Sequence, residues 1–445
     1  MANVFRTYDI RGIYPGDMND ELAYKVGRAI VKYFNVDSVA LGHDHRLSSP
    51  SLHDSMIRGL LDQGADVFDL GMCSSPELYN YNVSNSVIGI MITASHNPKE
   101  YNGIKVNNYD GRMINYAGGL DEIEKIVVGD DFPLAGKRGN VTKVDYNDTY
   151  CDYLRDFLDV KKKIKIVVDT GNGIAGPTVD KIFAKVKNVE ILPLFFNPNG
   201  SYPNHPANPA ELDNLVEISS KVRETNADFG VAFDGDADRC VFLDERGVPI
   251  SPDLFFCVIA DFESKRYPKG TFYFDLWFSK VVKERMKELG CDYQVLPLGA
   301  ANFREKLVLE GGVAASEISA HIMFSENYCQ DDGFFAMIKA INYYSSSNKT
   351  MSAFIAPYMI YFSDMKNIRV EIPDQVIDKI IQIYSDDENA KMYELDGITV
   401  EFADYWFNIR KSNTEPLLRL RIEADTRELL ESKMNELVKI IKESS

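Results

Sequence analysis

No stretch of this chain approaches the roughly 18 consecutive apolar residues a membrane helix needs, so a membrane partner is not expected. The opening run ANVFRTYDIRG has neither a basic start nor an apolar stretch behind it, and no signal peptide is expected. Cysteine is sparse: Cys73, Cys151, Cys240, Cys257, Cys291 and Cys329 show no CxxC spacing. That spacing removes the common zinc and thiol-redox motifs, and a chain this long needs no disulfide staples. The thiols therefore read as reduced, and the expected location is cytoplasmic. Positive charge is also short, with 49 Lys+Arg against 67 Asp+Glu and a net charge of −18. Such a field repels nucleic acid and anionic membranes, which argues against both as partners. It repels phosphorylated metabolites equally, so a site for one must gather its cations locally.

The length of 445 residues exceeds one hydrophobic core and implies two to four domains. NDELAYKVGRAIVKYF has helical spacing behind an Asn19 or Asp20 cap, SVALGHD reads as a strand, and SLHDSMIRGLLDQG as a helix ending at Gly64. ADVFDLG and VIGIMITA are further strands. This βαβ rhythm predicts a parallel sheet with functional loops at the carboxyl ends of its strands. A second unit follows the helical DTYCDYLRDFLDV, and a third begins near SPDLFFCVIADFESKRY. From about Asp364 the pattern becomes α+β, with strands NIRVEIP and ITVEFADYWFNIRKS around a helix and TRELLESKMNELVKIIKE at the end. The expected domains are 1–147, 148–250, 251–363 and 364–445, and three α/β units of similar size suggest an old triplication.

Several motifs mislead. TGNGIAG carries GxGxxG at Gly171, Gly173 and Gly176 between a strand and a helix, the dinucleotide spacing. Asp169 and Thr170, however, put a carboxylate and a hydroxyl where a pyrophosphate needs room, so a structural turn is preferred. DGDADRCVFLDE mimics a calcium loop but has Arg239 where that loop requires glycine. His43 and His45 stand at strand spacing without a third ligand and read as a surface or substrate-facing loop. Ser95 lacks the GxSxG elbow of an ordinary hydrolase.

Three clusters remain. TASHNPKEYNGIK offers Ser95, His96 and Asn97 behind an apolar strand, with Lys105 ten residues after the serine. DGDADR alternates Asp234, Asp236 and Asp238 with Gly235 and Ala237. In an extended turn these three carboxylates converge, and three oxygen ligands with open positions suit Mg²⁺. RKSNTEPLLRLR brings Arg410, Ser412, Asn413, Thr414 and Arg421, the donors a phosphate dianion requires. A serine nucleophile, a divalent cation and a phosphate cradle together indicate phosphoryl transfer.

TASHNPKEYNGIK, DGDADR, SEISAH and RKSNTEP stand in the order of the four signature loops of the α-D-phosphohexomutases, and FRTYDIRG resembles that family's amino-terminal motif. The chain most resembles the phosphomannomutase/phosphoglucomutase branch. The resemblance implies a heart-shaped, four-domain enzyme: three consecutive mixed-sheet α/β domains and a smaller C-terminal α+β domain. It implies that Ser95 is carried as phosphoserine, that Mg²⁺ is held by Asp234, Asp236, Asp238 and Ser95, and that a hexose 1,6-bisphosphate forms and also activates. Phosphate then moves between O6 and O1 of mannose or glucose. Glu317 and Ser319, with His321 nearby, would meet the sugar hydroxyls, while Arg6, Tyr8 and Arg11 would support the Ser95 loop. Arg239 is expected to stabilise the charge on PO₃ in transit, and Arg410, Ser412, Asn413, Thr414 and Arg421 to hold the other phosphate. Lys105 is expected to take the hydroxyl proton, its pKa lowered by cationic neighbours, with His96 assisting. The partners are hexose phosphates, and the protein a monomer or homodimer.

The match departs in three places. Ser316 precedes Glu317 where the family usually has glycine, and Trp277 and Ala300 occupy neighbourhoods where related mutases often place a basic residue and a histidine. A tryptophan offers a face to a pyranose ring but no charged hydrogen bond, so these positions bear on sugar identity. Three other readings stay open: a phosphoglucosamine mutase, against which SNTEP argues; an NAD(P)-dependent oxidoreductase using TGNGIAG; and a silent sugar-phosphate-binding protein.

Overall fold

A short strand, β1 (Ile10–Ile13), leads into α1 (Asp20–Phe34). The helix begins at Asn19, whose side chain accepts the Leu22 N–H at 2.9 Å and satisfies a donor that the first turn leaves open. The chain continues through β2 (Ser38–His43), α2 (Ser49–Asp62), β3 (Asp66–Met72), α3 (Ser75–Asn85), β4 (Ile88–Ile92), β5 (Tyr101–Asn107), α4 (Asp121–Gly129) and β6 (Val141–Lys143). The sheet runs β1-β5-β4-β2-β3-β6. β2 is parallel to β3 and β4, whereas β5 is antiparallel to β4 and β1. The βαβ rhythm therefore yields a parallel centre with an antiparallel edge, because the TASHNPKEYNGIK segment turns straight back into the sheet. All five residues of β4 are buried. Ile88, Ile90 and Ile92 join the cluster of α1 and α2, while Met91 faces Leu78 and Tyr81 of α3.

The computed structural model describes residues 4–129, 133–411 and 417–444. The chain falls into two units, Met1–Pro252 with Gly299–Ser352 and Asp253–Leu298 with Ala353–Ser445. Residues of the expected 251–363 segment thus fall in both.

The first unit continues with α5 (Asn147–Arg155), β7 (Ile164–Asp169), α6 (Ala175–Phe183), β8 (Val189–Leu194), α7 (Val216–Thr225), β9 (Phe229–Phe233) and β10 (Cys240–Leu243). α5 stops short of the helix read from DTYCDYLRDFLDV. Phe157 leaves it to pack on Phe335, and its carbonyl accepts the Asn342 amide at 2.7 Å. The sheet order is β10-β9-β7-β8, with β7 parallel to β8 and β9, and β10 antiparallel to β9.

In the third stretch, α8 (Pro252–Arg266), β11 (Thr271–Asp275), α9 (Lys280–Leu289) and β12 (Asp292–Leu296) lie in the second unit, apart from Pro252 itself. There β11 and β12 are parallel. The first unit takes α10 (Ala300–Glu310), the antiparallel pair β13 (Ala314–Ser316) and β14 (Ile322–Phe324), and α11 (Gly333–Ser345). Three loops of this unit share one position: 93–100 joins β4 to β5, 234–239 joins β9 to β10, and 317–321 joins β13 to β14. Each links a strand to its antiparallel neighbour.

After α12 (Met351–Ile355), the second unit closes with β15 (Phe362–Arg369), α13 (Pro373–Tyr384), β16 (Lys391–Glu394), β17 (Ile398–Glu401), β18 (Tyr405–Lys411), β19 (Leu417–Ala424) and α14 (Arg427–Glu443). The antiparallel sheet runs β15-β19-β18-β17-β16. β15 starts before NIRVEIP suggests: it is an exposed edge strand whose polar SDMK hides the pattern, yet it pairs with β19 over its whole length. ITVEFADYWFNIRKS is two strands, β17 and β18, joined at a turn that the Phe402 N–H closes on the Tyr405 carbonyl. Among the described residues, no helix is long and apolar enough to cross a membrane.

Glu77 lies buried in the first turn of α3, where it accepts from the Asn147 amide at 2.9 Å. Burial pushes its pKa up to about 7 from 4.5. A carboxyl that binds its proton more tightly when folded stabilises most below the unfolded pKa, and the contribution is lost as pH rises through the folded one. Stability is therefore expected to fall between about pH 4.5 and 7. Glu77→Gln should remove a stability loss of about 3 kcal/mol over that interval, read from urea unfolding across the pH series; an unchanged loss contradicts the assignment.

Candidate active site

Ser95 ends the β4 segment with φ at +50°, a left-handed conformation that few non-glycine residues adopt and that surrounding bonds must hold. Its N–H donates to Thr93 Oγ1 at 2.9 Å. Arg46, fully buried, donates to four carbonyls of the loop: Ser95 and Asn97 at 2.7 Å each, Pro98 at 2.8 Å and Tyr101 at 3.0 Å. Asp44 pairs with Arg46 at 3.2 Å and accepts from Thr93 and Ser49. Arg11 reaches the loop from β1, donating to Ala94 O at 2.8 Å and Asn97 Oδ1 at 2.9 Å. Arg46 and Asp44 lie in GHDHR, where sequence reasoning looked only at histidines. The signal was available: a charged pair at the carboxyl end of a parallel strand, where functional loops gather.

The serine hydroxyl donates to Asp234 Oδ2 at 2.8 Å and lies 3.1 Å from His96 Nδ1. Asp234, Asp236 and Asp238 are all buried, and one ligand atom from each falls within 4.8 Å of the others. Gly235 permits this approach, since a Cβ there would collide with the Ser95 carbonyl. Ser75 fixes Asp236, its hydroxyl 2.6 Å from Oδ2. Burial and the two sister carboxylates hold the Asp234 pKa well above its ordinary range. Burial pushes Asp238 the same way, but Lys105 and His321 overcome it and hold it well below. Among the described residues, Asp236 Oδ1 and Asp238 Oδ1 are buried without a hydrogen-bond partner, although Asp238 Oδ1 lies 3.6 Å from His321 Nε2 and 3.9 Å from Arg239 Nε. Orphaned carboxylate oxygens beside a third carboxylate fit a hard divalent cation such as Mg²⁺.

Lys105 requires a correction. Its ammonium lies 2.7 Å from Asp236 Oδ2 and 2.6 Å from Asp238 Oδ2. Burial alone would lower its pKa, but these carboxylates raise it well above the ordinary value. The neighbours are anionic, not cationic, so the expected lowering does not occur. His96 goes the other way: burial first, then Arg239 and Arg11, hold its pKa well below the usual imidazole value.

Arg239 Nε sits 3.7 Å from Asp234 Oδ2 and 3.0 Å from His321 Nε2. His321 Nδ1 is 2.7 Å from Glu317 Oε2, while Glu317 Oε1 accepts the Gly299 N–H at 2.6 Å. Ser319 Oγ donates to Glu317 Oε2 at 3.3 Å. Burial and Arg239 disfavour a charged His321, whereas Asp238 and Glu317 raise its pKa to about 9. The Arg239 N–H nevertheless needs a lone pair on Nε2, and this directional contact favours the Nδ1–H tautomer donating to Glu317. Ser316, where glycine is usual, closes the loop by donating to the His321 carbonyl at 3.0 Å.

The structure thus brings Ser95, His96, Lys105, the three aspartates, Arg239, Glu317, Ser319 and His321 into one unit. Tyr8 covers Gly299, whose φ of +120° leaves no room for a Cβ beneath the ring. Arg6 is exposed, and of the three residues expected to support the Ser95 loop it is Arg11 that donates hydrogen bonds to it at Ala94 O and Asn97 Oδ1. His45 is buried rather than on the surface, against the Tyr202 ring at 5.3 Å. The TGNGIAG turn packs on the aspartate loop: the Ile174 N–H donates to Gly235 O at 3.0 Å, and Gly176 abuts the Phe196 backbone.

In the second unit, Arg410 and Arg421 are buried on adjacent strands, each with Nε lacking a hydrogen-bond partner among the described residues. Ser412, Asn413 and Thr414 lie outside the described residues. Trp277 also needs correction: it is 3% exposed and presents no open face to a sugar. Ala300, the first residue of α10, is buried.

Family models describing phosphoglucomutase/phosphomannomutase match most of the chain in order: α/β/α domain I at 2–133, domain II at 148–247, domain III at 251–361 and the C-terminal domain at 365–440. The chain is 32% identical over 436 residues to a phosphomannomutase/phosphoglucomutase of Pseudomonas syringae, covering 96% of this chain and 92% of that one. It is 33% identical to a phosphomannomutase of Escherichia coli, covering 94% of each chain. The crystal structure of a phosphoglucomutase/phosphomannomutase family protein from Burkholderia thailandensis superposes with a TM-score of 0.90 at 28% identity, covering 99% of this chain and 97% of that one.

Arg46→Met is expected to leave Asp44 as an unpaired buried charge and to release four loop carbonyls. The cost should be about 3–5 kcal/mol in unfolding free energy, seen as a lowered denaturation midpoint, with turnover lost in the protein that remains folded. A variant with wild-type midpoint and turnover would contradict this account of the loop.

Proposed function

Because this chain belongs to the phosphoglucomutase/phosphomannomutase family, the α-D-phosphohexomutases, it is an isomerase of that class, and we propose that it interconverts mannose 6-phosphate and mannose 1-phosphate, with the glucose pair as a second substrate. The class chemistry is phosphoryl transfer through phosphoserine and a hexose 1,6-bisphosphate. We read 1–147, 148–250, 251–363 and 364–445 as segments contributing, in order, the phosphoserine, the metal ligands, the sugar contacts and the phosphate clamp.

The observation that carries this reading is the Ser95 hydroxyl 2.8 Å from Asp234, inside a cluster of three buried carboxylates. In this reading Ser95 is the group that gives and takes the phosphoryl. Asp234, Asp236 and Asp238 would hold Mg²⁺, which supplies positive charge against the oxygens of the group in transit. Arg239 adds a guanidinium on the same side. Lys105 keeps its proton and orients Asp236 and Asp238. Arg46 and Arg11 hold the loop so that the hydroxyl needs no reorganisation before reaction. In this reading Glu317 and Ser319 offer oxygens to sugar hydroxyls, and the Nε–H groups of Arg410 and Arg421, without a hydrogen-bond partner among the described residues, would serve the non-reacting phosphate.

Incubation with hexose 1,6-bisphosphate is expected to add one phosphoryl mass, mapping to Ser95. Ser95→Ala should lose the increment and at least about a thousandfold in turnover. Coupled assays with mannose, glucose and glucosamine phosphates then decide the sugar; turnover of the glucosamine compound alone would overturn the substrate assignment.

A further inference from the structure

Trp277 follows β11 in the second unit, its backbone N–H donating to Asp275 Oδ1 at 2.7 Å. Its indole Nε1–H donates to Asn408 Oδ1 at 2.7 Å. The Asn408 orientation is fixed, because its amide nitrogen donates to Thr399 Oγ1 at 2.9 Å, Asp396 O at 3.0 Å and Ile398 O at 3.3 Å. A flipped amide would set an acceptor against two carbonyl oxygens, which cannot donate. Asn408 and Arg410 are two residues apart on β18 and share a face. The Arg410 guanidinium carbon lies 4.9 Å from the indole centroid.

Among the described residues, Arg410 has little else to hold it. Its ion pair with Asp396 is long, at 3.7 Å, and Nε has no hydrogen-bond partner among the described residues. A guanidinium this buried with donors left over is costly until an oxyanion arrives. A cation over an aromatic face is attracted to it while its N–H groups, which lie in the guanidinium plane, stay available.

We propose that Trp277 is a positioning residue for the phosphate clamp: its ring face holds the Arg410 guanidinium, and its indole N–H locks the strand that carries it. This rests on the reading of Arg410 as a ligand to the non-reacting phosphate. A tryptophan that merely filled the core would influence folding but not the apparent affinity for sugar phosphate.

The test uses the full enzyme with Mg²⁺ and hexose 1,6-bisphosphate, comparing Trp277→Phe, Trp277→Leu, Arg410→Ala and the Leu/Ala double variant. Melting curves establish that each is folded. Trp277→Leu is expected to raise KM for the sugar phosphate about tenfold, equivalent to about 1.4 kcal/mol, with a much smaller change in kcat. Trp277→Phe, which keeps a ring but loses the N–H, should fall between wild type and Leu. Adding Trp277→Leu to Arg410→Ala should raise KM no further, since one residue acts through the other. Unchanged KM in folded Trp277→Leu, or KM effects that multiply in the double variant, overturns the proposal while leaving Arg410 as a ligand. An Arg410→Ala variant with wild-type KM instead removes the phosphate reading, and this inference with it. Should Trp277→Leu fail to fold, a wild-type KM in Trp277→Phe overturns the proposal, and a raised KM with kcat retained supports it.

Discussion

Three buried carboxylates held within 4.8 Å of one another are the constraint around which the first unit is arranged. At an effective dielectric near 20, each such pair repels by about 3 kcal/mol before any desolvation is counted. The fold must bring cations to this point, and it brings Lys105 from β5 and Arg239 from the start of β10. Both remain beside a cluster that still has two orphaned oxygens, so the protein's own cations leave room for a divalent ion. This is how a chain with a net charge of −18 handles phosphate esters: the long-range field is unfavourable, and local cations reverse it at the site.

The repeated topology explains how residues far apart in sequence meet. The sheets holding β3-β2-β4-β5 and β8-β7-β9-β10 have the same order and directions, and β13 and β14 repeat the final antiparallel step. The connection between the last two strands carries Ser95 in the first repeat, the aspartates in the second, and Glu317 and Ser319 in the third. An isolated bridge between Arg239 and His321 joins the second loop to the third. Glycine serves close approach here: Gly235 lets the aspartate loop touch the serine loop, and the glycine turn at 171–176 packs behind it. A dinucleotide spacing was thereby used for packing.

Much of this was legible in the sequence. The order of elements, the convergence of Asp234, Asp236 and Asp238, and the place of Ser95 follow from period, turn residues and spacing. What was not legible was the electrostatic partner of each group. Lys105 could be seen as a lysine near the serine, but the sign of its pKa shift depends on which charges face it, and register decides that. Trp277 could be seen as an aromatic side chain, but its burial against Asn408 and Arg410 required the turn after β11 and strand β18 together. Arg46 was overlooked because its partners are carbonyls, which leave no trace in side-chain patterns.

The ten-residue interval between Ser95 and Lys105 has a physical reason. Strand β4 ends before the serine, the loop turns over Arg46, and β5 returns antiparallel so that Lys105 stands opposite Met91. One hairpin therefore presents a hydroxyl at its tip and an ammonium lower on its returning strand, and the aspartate loop meets both: Asp234 takes the hydroxyl, while Asp236 and Asp238 take the ammonium. The division has a consequence for charge. The lysine satisfies one oxygen on each of two aspartates, and among the described residues the other oxygen of each has no hydrogen-bond partner. The spacing thus gives the lysine to Asp236 and Asp238 and leaves Asp234 to the serine.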